Sequence, residues 1–377
     1  MEKVLGLMNK LMEKVMPSDK LDRFVRVCIK LDELRFKNTA NWGELGINIH
    51  KNPRLTFSER ILLFWLCSMI DQFYSYKKVW TDGEEAMLAI LRENPSSFSD
   101  AEKIMFNFRK DKIGNEMAEV LTSKGSFKLV RDDYLRIKNT FNFLSELNED
   151  KNLSFRFVKL LGNAILNFKG KNGILKLANF LNDSLWENTL IKSPSDQDLE
   201  KFRKKQRKRL WMFIMFLKRD PSILKIFRNA LIEVYGKDYG EKLFSIWTNE
   251  ECFSQNEIEL PGDVWNIRLF RAMGIIKNAK EMARKLAQEY GISPSVFDVT
   301  FEIGANACRR KECSKCPFGE NKLCHKGREK YCSIISWLFP YYTKEPQITC
   351  QPEDCPIGKD LGKNLCGGKV DVKKVKH

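Results

Sequence analysis

Four cysteines in the last quarter of the chain are spaced closely enough to hold one metal centre. They follow the pattern C-x4-C-x2-C-x7-C and are Cys308, Cys313, Cys316 and Cys324. Four thiolates in one short loop can bind a tetrahedral zinc ion or an iron–sulfur cluster. Free thiols or disulfides are the remaining alternative. The single compact loop favours a [4Fe–4S] cluster, because a zinc ribbon usually brings together two separated C-x2-C pairs.

The residues around these cysteines point to a loop that faces nucleic acid. A helix predicted over residues 298–307 leads directly into the first cysteine. The residues between the ligands are strongly basic, and cations in such a loop suit contact with a phosphate backbone. The predicted DNA contacts in the loop are Arg309, Arg310 and Lys315.

Four further cysteines follow the loop at wider spacing: Cys332, Cys350, Cys355 and Cys366. Cys332 is the alternative ligand for the cluster. The four can also bind a second metal or remain free thiols. Eight of the eleven cysteines lie after residue 307, so the predicted metal chemistry is confined to the C-terminal part of the chain. Cys28, far from this region, is predicted to be a small core residue.

A basic run that continues into an apolar run is the second feature able to support chemistry. Seven of the nine residues over 201–209 are basic, and eight apolar residues follow over 210–217. This order places cations at the edge of a helix embedded in the core, which is the electrostatic layout of a DNA-facing groove. The predicted DNA contacts here are Arg203, Lys204, Lys205 and Arg207.

The charge balance of the whole chain favours a polyanionic partner. The formal net charge is +16 and the sequence pI is about 9.2. Such a surplus indicates nucleic acid first and an anionic membrane surface second. With only three histidines, histidine-based acid–base chemistry is not expected. The motifs of nucleotide-binding loops and serine hydrolases are absent.

The location follows from the absence of targeting signals. The amphipathic opening carries charges that interrupt any apolar run, so no signal peptide is expected. The longest apolar run, residues 210–217, is far shorter than the ~20 residues that a transmembrane helix needs. We therefore expect a cytoplasmic, nucleoid-associated monomer without a membrane partner.

The cysteine loop resembles the iron–sulfur loop that ends the helix–hairpin–helix (HhH-GPD) DNA glycosylases of the endonuclease III type. That family usually has the spacing C-x6-C-x2-C-x5-C, and this chain keeps the central C-x2-C and the same distance from first ligand to last. The resemblance implies a two-lobed, all-α fold with a C-terminal [4Fe–4S] loop. It also implies base-excision repair of a damaged base flipped from double-stranded DNA, by an N-glycosylase with AP lyase activity.

Two further segments carry the same resemblance and imply a catalytic pair. Arg207-Lys208-Arg209-Leu210 matches the R-K-T-A that begins the family's nucleophile helix, which gives Lys208 the nucleophile position. A rival nucleophile, Lys242, lies in a second G-x-K-like segment. Residues 258–276 resemble the family's V-D-T-H-x-x-R-x-x-x-R-x-G, and Asp263 takes the position of the catalytic aspartate.

The base pocket is implied by a buried helix near the start of the same region. Ser58 is predicted to cap a helix whose residues 61–67 are apolar on every side, so this helix is enclosed by the core. It resembles the first barrel helix of the family, at whose end polar side chains reach the flipped base. Asp71 and Gln72 occupy that place.

Apolar residues recur at helical spacing nearly throughout, and alternating runs are scarce, which predicts an all-α protein. The predicted domains are an N-terminal helical segment of residues 1–55 packed on the cluster lobe, and a barrel-like lobe of 56–221. The next predicted domain, residues 222–340, contains the inserted helices, the helix of the catalytic aspartate and the cluster loop. A cysteine-containing basic tail follows over residues 341–377. Residues 168–173, FKGKNG, are predicted to form a basic turn that touches phosphate.

The alternative is a nucleic-acid-binding iron–sulfur protein without catalytic activity. The family's hairpin reads L-P-G-x-G, whereas this chain has no glycine between Gly173 and Gly236. A hairpin that donates backbone amides to phosphate needs the conformational freedom of glycine. The missing glycines favour the binding protein, and the position of Asp263 favours the enzyme.

Overall fold

The computed structural model divides the chain into two compact units, residues 38–261 and residues 1–37 with 262–377. It describes residues 22, 24–26, 28–29, 32–33, 54–70, 83–92, 106–107, 118–122, 125–129, 131–147, 152–184, 209–262, 266, 270 and 279–300. Among these residues, no helix combines the length and the apolar character needed to cross a bilayer.

Helices dominate the described part of the chain, as the sequence predicts. In the unit of residues 38–261 they are α1 (Phe57–Met69), α2 (Glu84–Arg92), α3 (Arg131–Glu146), α4 (Leu153–Phe168), α5 (Gly173–Asn182), α6 (residues 209–219), α7 (Pro221–Tyr235) and α8 (Lys237–Thr248). A short 3-10 helix, Gln255–Glu257, follows α8.

Helix α1 is the buried element around which this unit packs. Every residue from Ile61 to Met69 is buried, and α2, α3, α4 and α7 pack against the helix. This confirms the prediction of an enclosed helix. The predicted cap at Ser58 is wrong, because Thr56 is the N-cap: its side chain accepts the Glu59 amide, and the Glu59 carboxylate accepts the Thr56 amide. This reciprocal pair, Thr-x-x-Glu, is a capping box.

Aromatic rings fill the core beside α1. Trp65 meets Phe213 of α6 edge-on with ring centroids 4.8 Å apart, and it packs on Phe157 of α4 at 5.5 Å. Phe64 stacks on the same Phe213 ring at 5.2 Å. The Trp65 indole donates to Thr140 of α3 over 3.2 Å, so the polar edge of this buried ring is satisfied.

A three-stranded antiparallel sheet interrupts the helices, which differs from the prediction of an all-α protein. The strands are β1 (Phe106–Asn107), β2 (Ala118–Thr122) and β3 (Gly125–Leu129). Val120 pairs with both Phe106 and Phe127. Only two residues separate β2 from β3 along the chain, so the strongest pairing is a local hairpin. Strands this short give a weak alternating pattern in sequence.

The ends of the helices follow local capping chemistry. In the sequence, Asp220-Pro221 predicts a helix stop, and in the structure it ends α6 and also begins α7. The Asp220 side chain accepts the amides of Ser222 and Ile223, and Pro221 stands at the first helical position. The sequence prediction grouped α7 and α8 with residues 251–340, whereas α7 packs on α1 and α4 within the unit of residues 38–261. The other predicted domain boundaries stay predictions.

The second unit joins residues from both ends of the chain. Its described helix is α9 (Ala279–Tyr290), followed by the 3-10 helix Pro294–Asp298. Phe24 lies against Phe270 and Phe297, with ring centroids 5.5 and 6.0 Å away. Cys28 is fully buried, which confirms the prediction of a core residue. Residues 299–300 are helical, so the helix predicted over 298–307 has its beginning among the described residues.

Candidate functional site

Most of the predicted site residues lie outside the described residues. This group holds the predicted nucleophile and aspartate, the base-pocket pair, the cluster ligands with their alternate, and the DNA contacts: Lys208, Asp263, Asp71, Gln72, Cys308, Cys313, Cys316, Cys324, Cys332, Arg203, Lys204, Lys205, Arg207, Arg309, Arg310 and Lys315. Their roles stay predictions. The described residues that adjoin them in the chain supply the geometry of the candidate site.

The rival nucleophile Lys242 is described, and its surroundings do not favour the role. It is exposed on α8, and its ammonium forms no ion pair or hydrogen bond with a described residue. A lysine becomes an effective nucleophile when it is desolvated or lies beside other cations. Neither condition is met among the described neighbours on α8, where Asp238 lies one helical turn away.

Two arginines converge on the C-terminus of α1, next in sequence to the predicted base pocket. Arg209 of α6 and Arg136 of α3 both donate to the carbonyl oxygen of Met69, the latter over 3.3 Å. The last carbonyls of a helix lack partners within the helix and carry partial negative charge, so cations stabilise them. Both guanidinium groups are buried.

One carboxylate neutralises this pair of guanidinium groups. The same Asp133 oxygen accepts from Arg209 over 2.6 Å and from Arg136 over 2.5 Å. The side chain of Asp133 is 1% exposed, and that of Arg136 is 2% exposed. We call Asp133, Arg136, Arg209 and the Met69 carbonyl the arginine cluster. Buried charges of this kind persist only when they are paired and hydrogen-bonded.

The arginine cluster joins the described edges of two predicted site segments. Arg209 directly follows Lys208 in the chain, and Met69 precedes Asp71 by two residues. The sequence analysis did not predict the cluster, since it counted Arg209 in the basic run of a DNA-facing groove and gave Asp133 no role.

Two of the described cysteines, Cys28 and Cys67, behave as core thiols rather than metal ligands. Burial, and secondarily the nearby Asp32, raises the pKa of the Cys28 thiol well above its usual value. Burial and Glu84 raise the pKa of Cys67 in the same way. A metal binds the thiolate, so a raised pKa disfavours ligation. Within the described ranges, no group of three or more histidine, cysteine or acidic side chains could hold a metal ion.

Lys218 is a third buried cation that the sequence did not reveal. Its ammonium donates to the Trp247 carbonyl over 2.8 Å, lies 3.2 Å from a Glu250 oxygen, and sits 5.6 Å from the centroid of the Trp247 ring. In return, the Trp247 indole donates to the Leu217 carbonyl. Burial lowers the pKa of Lys218, and Glu250 partly offsets this effect. The arrangement ties the C-terminus of α8 to that of α6.

The predicted basic turn is present between α4 and α5, at residues 169–172. Gly170 and Asn172 adopt φ values of 105° and 60°, and the turn is followed at once by α5. The amides of Asn172 and Ile174 both donate to the Glu257 carboxylate over 2.9 Å. The Glu257 carboxylate is therefore the anion that occupies the N-terminus of α5.

Comparisons with family models, with curated proteins and with solved structures find no match to this chain. The resemblance to the helix–hairpin–helix glycosylases therefore stays a prediction from the segments quoted above.

Proposed function

We propose that the protein is a DNA base-excision repair enzyme, an N-glycosylase with AP lyase activity that acts on a damaged base flipped from double-stranded DNA. The contact of Arg209 with the Met69 carbonyl carries the proposal. It supports a single site made from the end of α1 and the start of α6, which are the segments that adjoin the predicted base pocket and the predicted nucleophile.

The charge distribution supports the polyanionic partner. The basic run ends at Arg209, whose guanidinium is buried against Asp133 and the Met69 carbonyl. Because Arg209 is occupied within the arginine cluster, we assign the phosphate contacts to other members of the basic run. These are Arg203, Lys204, Lys205 and Arg207. A net charge of +16 agrees with such a partner.

The proposed chemistry assigns one step to each catalytic residue. The neutral amine of Lys208 attacks C1′ of the damaged nucleotide, the C1′–N bond breaks, and the electron pair leaves with the base, which takes up a proton. Asp263 stabilises the positive charge on the sugar and accepts the proton lost by the amine. The C1′–O4′ bond of this adduct then breaks, O4′ takes up a proton, and the opened sugar is left as a Schiff base with Lys208. Loss of a proton from C2′ then permits β-elimination, in which the bond between C3′ and its phosphate oxygen breaks and the electron pair leaves with the phosphate.

The proposed [4Fe–4S] cluster is held by Cys308, Cys313, Cys316 and Cys324. The donor set fits, since four thiolates are the usual ligands of such a cluster. When bound, the cluster fixes the conformation of the basic loop and takes no part in the chemical steps. Arg309, Arg310 and Lys315 then contact the DNA backbone.

Borohydride trapping on a panel of lesion-containing duplexes tests the proposal, because borohydride reduces a Schiff base to a stable protein–DNA adduct. Lys208→Gln is expected to abolish the adduct while leaving DNA affinity nearly unchanged, since one cation among seven is a small part of the phosphate interaction. Lys242→Gln is the matched control and is expected to trap normally.

If Lys208→Gln forms the trapped adduct normally and Lys242→Gln does not, the nucleophile is Lys242. If no lesion yields an adduct or a released base although duplex DNA is bound, the enzyme proposal falls. The non-catalytic nucleic-acid-binding iron–sulfur protein then takes its place.

A further inference from the structure

The α4–α5 turn carries exposed lysines that no described carboxylate neutralises. Lys169 and Lys171 lie in the turn and Lys176 lies in the first turn of α5, and all three are exposed. Within the part of the chain that the structure describes, none of them forms an ion pair. The carboxylate of Glu257 contacts the turn, but it already accepts two backbone amides.

Backbone hydrogen bonds hold this turn in one conformation. The Gly170 amide donates to the Cys252 carbonyl over 2.9 Å, and the Gly173 amide donates to the Gly170 carbonyl over the same distance. A Cβ at Gly173 would lie 2.4 Å from the Cys252 oxygen, so only glycine permits this approach. The lysines therefore project from a backbone that is already ordered, so binding carries no entropic cost for ordering the turn.

One exposed cation elsewhere on this unit shows the opposite situation, because a carboxylate compensates it. Arg228 of α7 pairs with Glu241 of α8, which holds the pKa of that carboxyl below its usual value; Lys237 adds to the same effect. Opposite charges this close cancel the field that would attract a distant polyanion. The α4–α5 turn differs because its positive charges are in excess.

From this excess and this rigidity, we infer that Lys169, Lys171 and Lys176 form an additional binding surface for the phosphate backbone of duplex DNA, outside the proposed catalytic site. This inference rests on the proposed function, which supplies the partner. The contact uses lysine side chains, because Glu257 occupies the amides at the N-terminus of α5. Each lysine that meets a phosphate releases counterions from the DNA.

A membrane surface fits this turn less well than DNA does. Leu175, 42% exposed, is the large apolar side chain beside the lysines. Single exposed apolar residues are normal on soluble surfaces, whereas stable membrane binding needs a contiguous apolar face. Phosphate contacts alone, without apolar insertion, match a nucleic-acid backbone.

The test measures the affinity of the full-length protein for an undamaged fluorescent duplex by anisotropy at several salt concentrations. Replacing Lys169, Lys171 and Lys176 together by glutamine is expected to reduce the slope of log K against log salt by about 2–3, since each phosphate contact contributes ~0.9. The control triple variant replaces Lys225, Arg228 and Lys237, which are equally exposed on α7 and α8. Its slope is expected to stay near that of the unchanged protein.

Four results would overturn the inference. An unchanged slope in the turn variant excludes phosphate contacts at this surface while leaving the proposed function intact. Equal losses in both triple variants show an effect of net charge rather than of this turn. A loss of binding to anionic phospholipid vesicles without a change in DNA binding assigns the lysines to a membrane surface. If the unchanged protein binds no duplex at low salt, the proposed function fails together with the inference.

Discussion

Asp133 is the residue on which the charge balance of the arginine cluster depends. Its carboxylate lies between two buried guanidinium groups, and all three side chains are nearly inaccessible to water. Removing one partner from a buried ionic group leaves the others without compensation, which costs more than the loss of an exposed pair.

Asp133→Asn keeps the shape of the side chain and removes its charge. We expect the free energy of unfolding to fall by about 3–5 kcal/mol, the usual cost of breaking a buried pair. Urea denaturation at neutral pH measures the change. Glu241→Gln, which breaks the exposed pair with Arg228, is the control and is expected to leave the midpoint nearly unchanged. Equal effects of the two variants would contradict a special role for the cluster.

Lys218 predicts a pH dependence of stability. Burial lowers its pKa in the folded protein below the ordinary value of 10.5. Between the folded and the ordinary pKa, the folded state therefore binds fewer protons than the unfolded state. The contribution of Lys218 to the free energy of unfolding rises as the pH rises through that interval.

Comparison with Lys218→Met isolates this contribution, because methionine fills the space of the lysine stem without titrating. The difference in unfolding free energy between the unchanged protein and the variant is expected to increase with pH in the alkaline range below 10.5. Urea denaturation at successive pH values measures it. Lys225→Met, at an exposed position of α7, is expected to show no such trend. A flat difference for Lys218→Met would refute the prediction.

At the scale of the elements, α7 and α8 cross closely because of one glycine. A Cβ at Gly240 would lie 2.6 Å from both Cα and N of Ile232. These are backbone atoms of α7, which cannot move aside without displacing the helix. Gly162 is a milder case, since its nearest atoms belong to the side chain of Tyr235.

Gly240→Ala therefore has two opposing effects on stability: the added methyl group overpacks the helix contact, and alanine has a better helix propensity than glycine. Overpacking costs about 1–3 kcal/mol, whereas alanine gains up to about 1 kcal/mol over glycine in a helix. We expect a lower thermal midpoint, measured by circular dichroism. Ser245→Ala, at an exposed position of the same helix, controls for propensity and is expected to change the midpoint little. A more stable Gly240→Ala protein would show that the helices are not in close contact.

Local signals made α1 and the junction of α6 with α7 predictable from the sequence. The apolar run over residues 61–67 and the pair Asp220-Pro221 both act within one or two helical turns. The Thr56-x-x-Glu59 capping box was equally local, although Ser58 was chosen instead. The sheet was missed because strands of two to five residues carry too few alternations.

The arginine cluster was beyond prediction for a different reason. Arg209 and Asp133 are 76 residues apart in the chain. A basic residue at the end of a basic run gives no sign that it is buried, and one sequence does not specify which carboxylate it meets. The same limit applies to Lys218 and the Trp247 carbonyl, which are separated by 29 residues.

At the scale of the whole molecule, two groups of cysteines have opposite expected behaviour. Cys28 and Cys67 are buried thiols with raised pKa values. The other group comprises the proposed ligands in the C-terminal loop. Iron binding is therefore expected to depend on the loop alone.

Protein purified without oxygen is expected to be brown, with the broad visible absorption of thiolate-ligated iron. Cys308→Ser should lose iron and colour, as measured by iron content and absorption, while Cys67→Ala should keep both. Colourless protein with one equivalent of zinc would rule out the cluster. Loss of iron from Cys332→Ser, with retention in Cys308→Ser, would reassign the ligand and leave the cluster in place.

The bond between Glu257 and the α4–α5 turn has a consequence for synthesis on the ribosome. The Asn172 amide meets a carboxylate that lies 85 residues later in the chain. At about 5–20 residues per second, roughly 4 to 17 seconds separate the translation of the turn from that of the residue that anchors it. A nascent chain therefore carries this lysine-rich turn in an unanchored form for several seconds, in the presence of the ribosome's own RNA.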